Sequence, residues 1–533
     1  MLGIMPDQES ILKKPVDADS GDGDPVGQAS LSRLQVLGIA VLVLCGYLLL
    51  AQRTFYREDG YQLIHHMWGK GQLYHDIHPL YLPILDLAVR LLSWTGQGAH
   101  GIGTWLSALS VSAALFFLGL MARQAIVGRR RQLLFLGFVA ACPAVSFFAT
   151  VVEFHGLFFF FVGLGFFVAE KLIQAGSGRA ALAWAATLGL VTSLGTAAHA
   201  TGQLLVPLFG AWVIARRDSW GRLAALFLFA CVHGLLYFGG LSLTVHALGL
   251  GGQSQAAGSI GHLERWLRQG LLTAVSRFPG QLWWEIAFPY LPLSLLPLVL
   301  WWPRNRRMCP TALQILAILG MFTPYLLLVV LTLADEHTGA AIWERGAYLL
   351  PLAPAAAWVL ARWSLPIRTL ALLLLGGAVI SVAQIRLHDQ RPGLDFTTEL
   401  ETVTHGAPIF VFVSPVESPW MYLHLPGARQ VLVQELLTTD PAMRPTQMAW
   451  ADHQLPLWFA EGRRLFLTRD AQALMEARSD GEMGELLAEM KRARPLIHAL
   501  VEANGRAWLD HLAEHFRIVE VPGHPRFLEL IPR

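Results

Sequence analysis

Two adjacent carboxylates, Glu58 and Asp59, stand a few residues beyond the first long apolar run, in the stretch Tyr56-Arg57-Glu58-Asp59-Gly60-Tyr61. In a partly desolvated cleft such a carboxylate has its pKa raised toward neutrality and serves as a general base, or it holds a metal or a substrate hydroxyl; on an open loop it is a solvated charge. The same loop carries His65, His66, His75 and His78, a density that raises divalent-metal binding, although His65 and His66 are adjacent rather than four apart on a helix. Farther along, Glu153 and His155 form a close acid and imidazole pair able to bind acceptor or metal, or simply to satisfy each other at an interface. His199 lies between two apolar runs, in Gly195-Thr196-Ala197-Ala198-His199-Ala200-Thr201-Gly202.

The elements that must position these groups are set by composition. Of 533 residues 54% are hydrophobic and 15% charged, against about 25% charge in an ordinary soluble protein. Together with a mean hydropathy of +0.46, this excludes a soluble globular enzyme. Apolar runs long enough to cross a hydrocarbon layer recur from Leu34 to about Ile385, followed by a stretch of ordinary soluble composition. A formal net charge of +2 offers no field suited to nucleic acid. Cys45, Cys142, Cys231 and Cys309 are widely spaced, with no CxxC pair, so neither a disulfide framework nor a zinc knuckle is indicated. Residues 1–33 are polar and rich in Asp and Gly without the apolar core of a signal peptide, and read as a disordered cytoplasmic tail.

Basic residues orient the spans, because Lys and Arg accumulate in cytoplasmic loops. They cluster after every second apolar run: Arg123 with Arg129, Arg130 and Arg131; Lys171 with Arg179; Arg216, Arg217 and Arg222; Arg304, Arg306 and Arg307; Arg362 with Arg368. The intervening connections around 151–156 and 195–201 contain neither Lys nor Arg. Residues 80–94 test this parity. They are apolar enough to suggest a span, but a span there would turn the Arg129 to Arg131 cluster outward, so an amphipathic helix on the outer interface is predicted instead. Spans are then expected near 34–51, 104–122, 132–150, 156–170, 180–196, 201–215, 222–241, 283–302, 311–333, 347–361 and 368–385. About eleven crossings deliver the carboxy-terminal region to the same outer face as the first loop.

The expected organisation is thus a mainly α, polytopic transmembrane domain over 34–386, with a long exterior loop at 52–103 and a second at 244–281, then an exterior small α/β domain over 387–533. Within the second loop, 262–276 has helical periodicity. In the last domain a strand is predicted at 409–413, helices near 472–478 and 482–494, and late strands at 516–521 and 527–531. The pairs Trp283-Trp284 and Trp301-Trp302 mark an interfacial belt at the ends of the eighth span.

The first loop as a whole, Glu58-Asp59-Gly60-Tyr61, Gly69-Lys70-Gly71-Gln72-Leu73-Tyr74 and His75-Asp76-Ile77-His78-Pro79-Leu80-Tyr81, resembles that of GT-C glycosyltransferases, the superfamily of the protein O-mannosyltransferases and the lipid A aminoarabinose transferase. Members share an acidic pair after the first span, a G-x-x-Y turn and a His/Lys-Pro-Pro-Leu-like approach to an interfacial helix, in which Leu80 here replaces the second proline. A second stretch, Glu344-Arg345-Gly346-Ala347-Tyr348-Leu349-Leu350-Pro351-Leu352-Ala353-Pro354, resembles the R-x-x-Y-L-x-P-x-x-P start of a late span in the same superfamily. The two stretches stand in the expected order, and with the many spans and exterior tail the resemblance covers essentially the whole chain.

The resemblance implies that a polyprenyl-phosphate sugar in the outer leaflet donates its sugar to an acceptor hydroxyl on a glycan, lipid or protein; separately, richness in Ala, Leu, Gly and Arg suits a high-GC bacterium, which places the outward face of the inner membrane in the periplasm. Asp59 would be the base and Glu58 its support, though the sequence leaves open which acid aligns. Arg345 would bind the donor phosphate, a role suited to a bidentate guanidinium, unless it snorkels to headgroups. Lys70 and His199 are further candidates for phosphate or lipid contact. Glu153, His155, Tyr61, Tyr74, His78, Glu344 and Tyr348 are acceptor-side or supporting candidates. The sequence fixes no cofactor, and a divalent metal is possible, though not all relatives require one. Rival readings are a lipid-linked glycan polymerase or ligase, a transporter or flippase, and a non-catalytic membrane scaffold. Acids placed in exterior loops and the absence of an evident internal repeat argue against the transporter.

Overall fold

The computed structural model describes residues 29–55, 60, 63–64, 78–175, 178–216, 223–241, 286–295, 321–326, 346–362, 366–389, 394–405, 408–415, 417–425, 428–478, 487–488, 491 and 495–533. The amino-terminal part is helical: α1 (Arg33–Leu49), α2 (Tyr81–Leu92), α3 (Ala99–Ala125), α4 (Arg129–Ala140), α5 (Pro143–Phe148), α6 (Phe154–Gln174), α7 (Arg179–Ala198), α8 (Leu205–Arg216), α9 (Leu223–Gly234), α10 (Ala353–Ala361) and α11 (Ile367–His388). Of these, α3, α6, α7 and α11 are long and apolar enough to cross a membrane. Apolar side chains such as Leu34, Leu42 and Leu49 on α1 and Leu372, Leu375 and Val379 on α11 are exposed, as expected of faces that meet lipid.

Local chemistry explains the boundaries. Ser32 caps α1, accepting from Gln35 N–H at 3.1 Å while Gln35 Oε1 accepts from Ser32 N–H at 2.9 Å, a reciprocal arrangement that satisfies two otherwise free helix donors. The third predicted span, 132–150, is broken into α4 and α5 at Cys142-Pro143, because proline has no N–H to continue the ladder. The carbonyls exposed by the break are taken up by Tyr47 OH on Ala140 O (2.9 Å) and Ser381 Oγ on Ala141 O (2.9 Å). Such satisfaction is what makes irregular backbone tolerable at membrane depth. A second departure lies in the span expected at 283–302: residues 286–295 form turns and a short 3-10 helix, Leu293–Leu295, rather than a continuous α-helix. Pro289 and Pro292 account for it, and Pro289 O instead accepts from Ala144 N–H at 2.8 Å.

Contacts among the described residues gather segments at two ends of the helix bundle. At one end Arg123 Nε donates to Leu31 O at 2.6 Å, just before α1. At the other, Gln52 N–H donates to Thr150 O at 2.8 Å and Arg53 N–H to Asp389 Oδ1 at 2.6 Å, gathering the end of α1, the end of α5 and the end of α11. His388 Nδ1 hydrogen-bonds Gln52 Oε1 at the same place. The segment 80–100 stays at this second end: Leu80 N–H donates to Ala197 O (3.0 Å), and His100 Nε2 lies 3.3 Å from Thr54 O. Helix α2 therefore lies across the end with Tyr81, Leu82 and Leu85 buried, and it does not span. The predicted features at 1–28, 262–276, 301–302 and 311–320, and Trp283-Trp284, lie outside the described residues.

Helices α3 and α6 run parallel and nearly touch. A methyl group on Gly156 would meet Ser107 Cα at 2.9 Å, and one on Gly163 would meet Ala114 Cα at 2.7 Å. The two glycines, seven residues apart, lie on one face of α6, so the seam is closed by missing side chains.

The carboxy-terminal part is an α/β unit: α12 (Leu394–Thr404), β1 (Ile409–Val413), α13 (Ser418–His424), β2 (Arg429–Leu432), α14 (Val433–Leu437), α15 (Arg444–Ala460), β3 (Arg464–Thr468), α16 (Arg469–Met475), α17 (Pro495–His515), β4 (Phe516–Glu520) and β5 (Phe527–Pro532). Sheet order is β2-β1-β3-β5-β4. β1 is parallel to β2 and β3, with Val411 opposite Gln430 and Phe466, and β5 is antiparallel to β3 and β4. The helix expected at 482–494 falls largely outside the described residues.

Candidate active site at one end of the helix bundle

Glu153 ends the connection between α5 and α6 and caps α6, its Oε2 accepting from Phe154 N–H at 3.2 Å; the side chain is fully buried. An acid at this position favours helix initiation by complementing the helix dipole. Its backbone carbonyl accepts from Ser107 Oγ of α3 at 3.3 Å, so the seam between the two helices also sets the depth of this acid. His155 follows inside the first turn of α6, buried, with Nδ1 3.7 Å from Glu153 Oε1.

His199 separates α7 from a 3-10 turn, Ala200–Leu204. Its Nδ1 accepts from Thr201 N–H at 3.1 Å and meets the Thr201 hydroxyl at 2.6 Å, which leaves the ring proton on Nε2. Burial pushes its pKa down to about 3, so the ring is neutral near pH 7. The His199 ring lies 4.7 Å from His155, 4.9 Å from His78, 5.0 Å from Phe154, 5.1 Å from Phe158 and 6.3 Å from Tyr348. His78, buried just before α2, stacks on Phe154 at 3.6 Å. Tyr348 belongs to the 3-10 segment Ala347–Leu352 that opens α10. Sequence positions 78, 153, 155, 199 and 348 thus meet in one aromatic and imidazole cluster.

Two glycines tie the remaining predicted stretches to this end. Gly60, the residue after the acid pair, lies so close to Val152 that a Cβ would sit 2.5 Å from the Val152 carbonyl oxygen. Gly346, the residue after Arg345, adopts φ 72°, a conformation that favours glycine, and its carbonyl accepts from Tyr290 OH at 2.5 Å. Glu58, Asp59, Tyr61, Lys70, Tyr74, Glu344 and Arg345 themselves lie outside the described residues, as do His65, His66 and His75. Among the described residues Glu153, His155, His78 and His199 carry metal-ligating groups, but three ligand atoms come within 4.8 Å of one another at Asp452, His511 and His515 and not in this cluster.

Tyr81 was not singled out by sequence reasoning. Its hydroxyl is buried without a hydrogen bond among the described residues, and burial first, then the charge of Glu153, pushes its pKa well above the usual tyrosine range. Tyr81 is the first residue of α2, edge-on to Phe154 at 6.4 Å, a placement that only the packing of α2 against α6 reveals. Ser107, whose hydroxyl lies between the Gly103 and Glu153 carbonyls at 3.2 and 3.3 Å, was likewise missed because that contact exists only once α3 and α6 pack.

Fold and site together define a polytopic helical membrane protein with an α/β domain appended and a buried acid and histidine cluster at one bundle end. No family model matches the chain and no curated protein sequence does. Among solved structures it is similar to ArnT from Cupriavidus metallidurans bound to undecaprenyl phosphate, with 13% identity, a TM-score of 0.42, and coverage of 93% of this chain and 97% of that one. The apo form of the same ArnT is similar at 12% identity, with the same TM-score and coverage.

Proposed function

We propose that the chain is an integral-membrane glycosyltransferase that moves a sugar from a polyprenyl-phosphate donor to an acceptor hydroxyl at the outer face of an inner membrane. The observation that supports this most is convergence. Gly60 beside the acid pair, the Glu153 and His155 cap, His199, and Gly346 beside Arg345 all belong to the bundle end opposite Arg123 and Arg216.

In this reading Asp59, supported by Glu58, takes the proton of the acceptor hydroxyl as that oxygen attacks the anomeric carbon. The bond from that carbon to the phosphate oxygen breaks, and polyprenyl phosphate leaves with the electron pair. Arg345 and Lys70 neutralise the departing phosphate. His199, neutral with its proton on Nε2, can donate one hydrogen bond to a phosphate oxygen without placing a further charge in a dry pocket. Glu153, His155, His78 and Tyr348 shape the wall, while Tyr61, Tyr74 and Glu344 serve the acceptor side. The α/β domain would lie outside the membrane and cover the cleft or touch the acceptor. Ionisable groups gathered at a bundle end rather than on broken helices at mid-membrane favour this reading over a transporter.

The test is glycan and lipid profiling of a deletion strain complemented with wild type or with Asp59→Asn. A sugar absent from the deletion strain, restored by wild type and not by a normally expressed Asp59→Asn, is the expected result. Restoration by a Glu58→Gln, Asp59→Asn double variant would refute the assignment of the acids.

A further inference from the structure

Helices α15 and α17 of the carboxy-terminal domain bring together groups that the transferase reading does not use. His511 and His515 are four residues apart near the end of α17 and so lie on one face. Both point Nε2 at the same carboxylate oxygen of Asp452 on α15, at 2.9 Å and 3.4 Å. The three candidate ligand atoms all lie within 4.8 Å of one another. Beneath them His511 meets the buried Trp508 edge-on at 5.8 Å, and the two imidazoles pack at 4.8 Å.

The shorter contact is of hydrogen-bond length and the longer lies within ion-pair distance of the same oxygen. A tetrahedral zinc ion with bonds of about 2.0–2.2 Å holds its ligand atoms roughly 3.3 Å apart. The separations seen here bracket that spacing, so small side-chain shifts would close the triangle around an ion. Two imidazole nitrogens and one carboxylate oxygen suit zinc and its first-row neighbours and do not suit magnesium or calcium, which take all-oxygen shells. His511 is mostly buried, whereas His515 and Asp452 are about half exposed, which leaves a route for the ion and a fourth position for water.

We propose that Asp452, His511 and His515 form a divalent transition-metal site, of the zinc class, that fastens α15 to α17. On binding, each imidazole presents its Nε2 lone pair with its ring proton on Nδ1, and Asp452 supplies one anionic oxygen. The inference does not depend on the transferase reading.

The full chain, purified in detergent and stripped with chelator, is titrated calorimetrically with ZnCl2 and, separately, MgCl2. The expected result is one zinc per chain lost or weakened at least about tenfold in His515→Ala and in Asp452→Asn, with no heat from magnesium. Co2+ should give a tetrahedral visible spectrum in wild type that either variant abolishes. Because His515 and Asp452 are partly exposed, both variants should stay monodisperse; His515→Gln repeats the test with a side chain closer in size. Equal zinc affinity and an unchanged Co2+ spectrum in wild type and variants would overturn the proposal.

Discussion

Helix α6 carries a buried carboxylate at each end, and the two are treated in opposite ways. Glu170, near its carboxy terminus, accepts from Arg216 Nη2 at 3.2 Å, and the Arg216 guanidinium lies 5.0 Å over the Trp358 ring, with Arg362 over the same ring at 4.6 Å. Glu153, about 25 Å away along the axis at 1.5 Å per residue, meets an amide, an imidazole and the field of a tyrosine hydroxyl. One end neutralises its acid within the protein, as a structural pair does. The other holds an acid among imidazoles and aromatic rings, an arrangement suited to a charged or hydroxylated substrate.

The contrast can be broken most directly through turnover. Asp59→Asn should lower transfer by about 10²- to 10⁴-fold, the usual contribution of a positioned base, with unchanged thermal stability; equal rates by radiolabel transfer would remove the catalytic end from the comparison. Next in size, Glu170→Gln leaves the Arg216 charge uncompensated and should cost about 3–5 kcal/mol of stability, read as a lower unfolding midpoint in detergent. Glu153→Gln keeps a capping oxygen, so its stability cost should stay below about 1 kcal/mol while the rate falls. Should the two glutamines prove equally destabilising, the ends do not differ as described.

The smallest effects concern pH. His199 is held at a pKa of about 3 by burial, against an ordinary 6.5, so its share of stability is complete above pH 6.5 and is lost on acidification toward pH 3, by up to about 1.4 kcal/mol per pH unit. His199→Gln should flatten that part of the unfolding profile. Glu417 in the α/β domain behaves oppositely. Burial, partly offset by the Thr468 hydroxyl and Ser414 N–H, raises its pKa from 4.5 to about 7, so its share is full below pH 4.5 and is lost as pH rises through 7. Glu417→Gln should raise the midpoint at pH 8 more than at pH 5.

What the sequence disclosed depended on whether a signal was local. The strand Ile409–Val413 was legible because an unbroken apolar run sits between Pro408 and Ser414, and the parity of arginine clusters identified α2 as lying across the bundle end. Strands β2 and β3 were not, because Arg429-Gln-Val-Leu and Arg464-Leu-Phe-Leu-Thr begin on charges and are short; they become strands by pairing with β1. The long helix α17 is amphipathic only against partners brought from α14, α15 and α16. At the site, residue types named Glu153, His155, His78, His199 and Tyr348, but their meeting at one point is a tertiary fact, and Tyr81 and Ser107 matter only once α2 and α3 are packed against the start of α6.

The glycine seam between α3 and α6 carries a mechanical implication. Sliding or rotating α6 would drive the α-carbons of Ser107 and Ala114 into side chains or backbone, so this pair behaves as a fixed rail. Glu153 and His155 ride on that rail and cannot retract. On the proposed function, any widening that admits a long isoprenoid must come from the pieces resting against it, α2 and the stretch leading into α10. Bulk introduced at Gly163, more than two turns from the cluster, should therefore jam the site as effectively as a change within it.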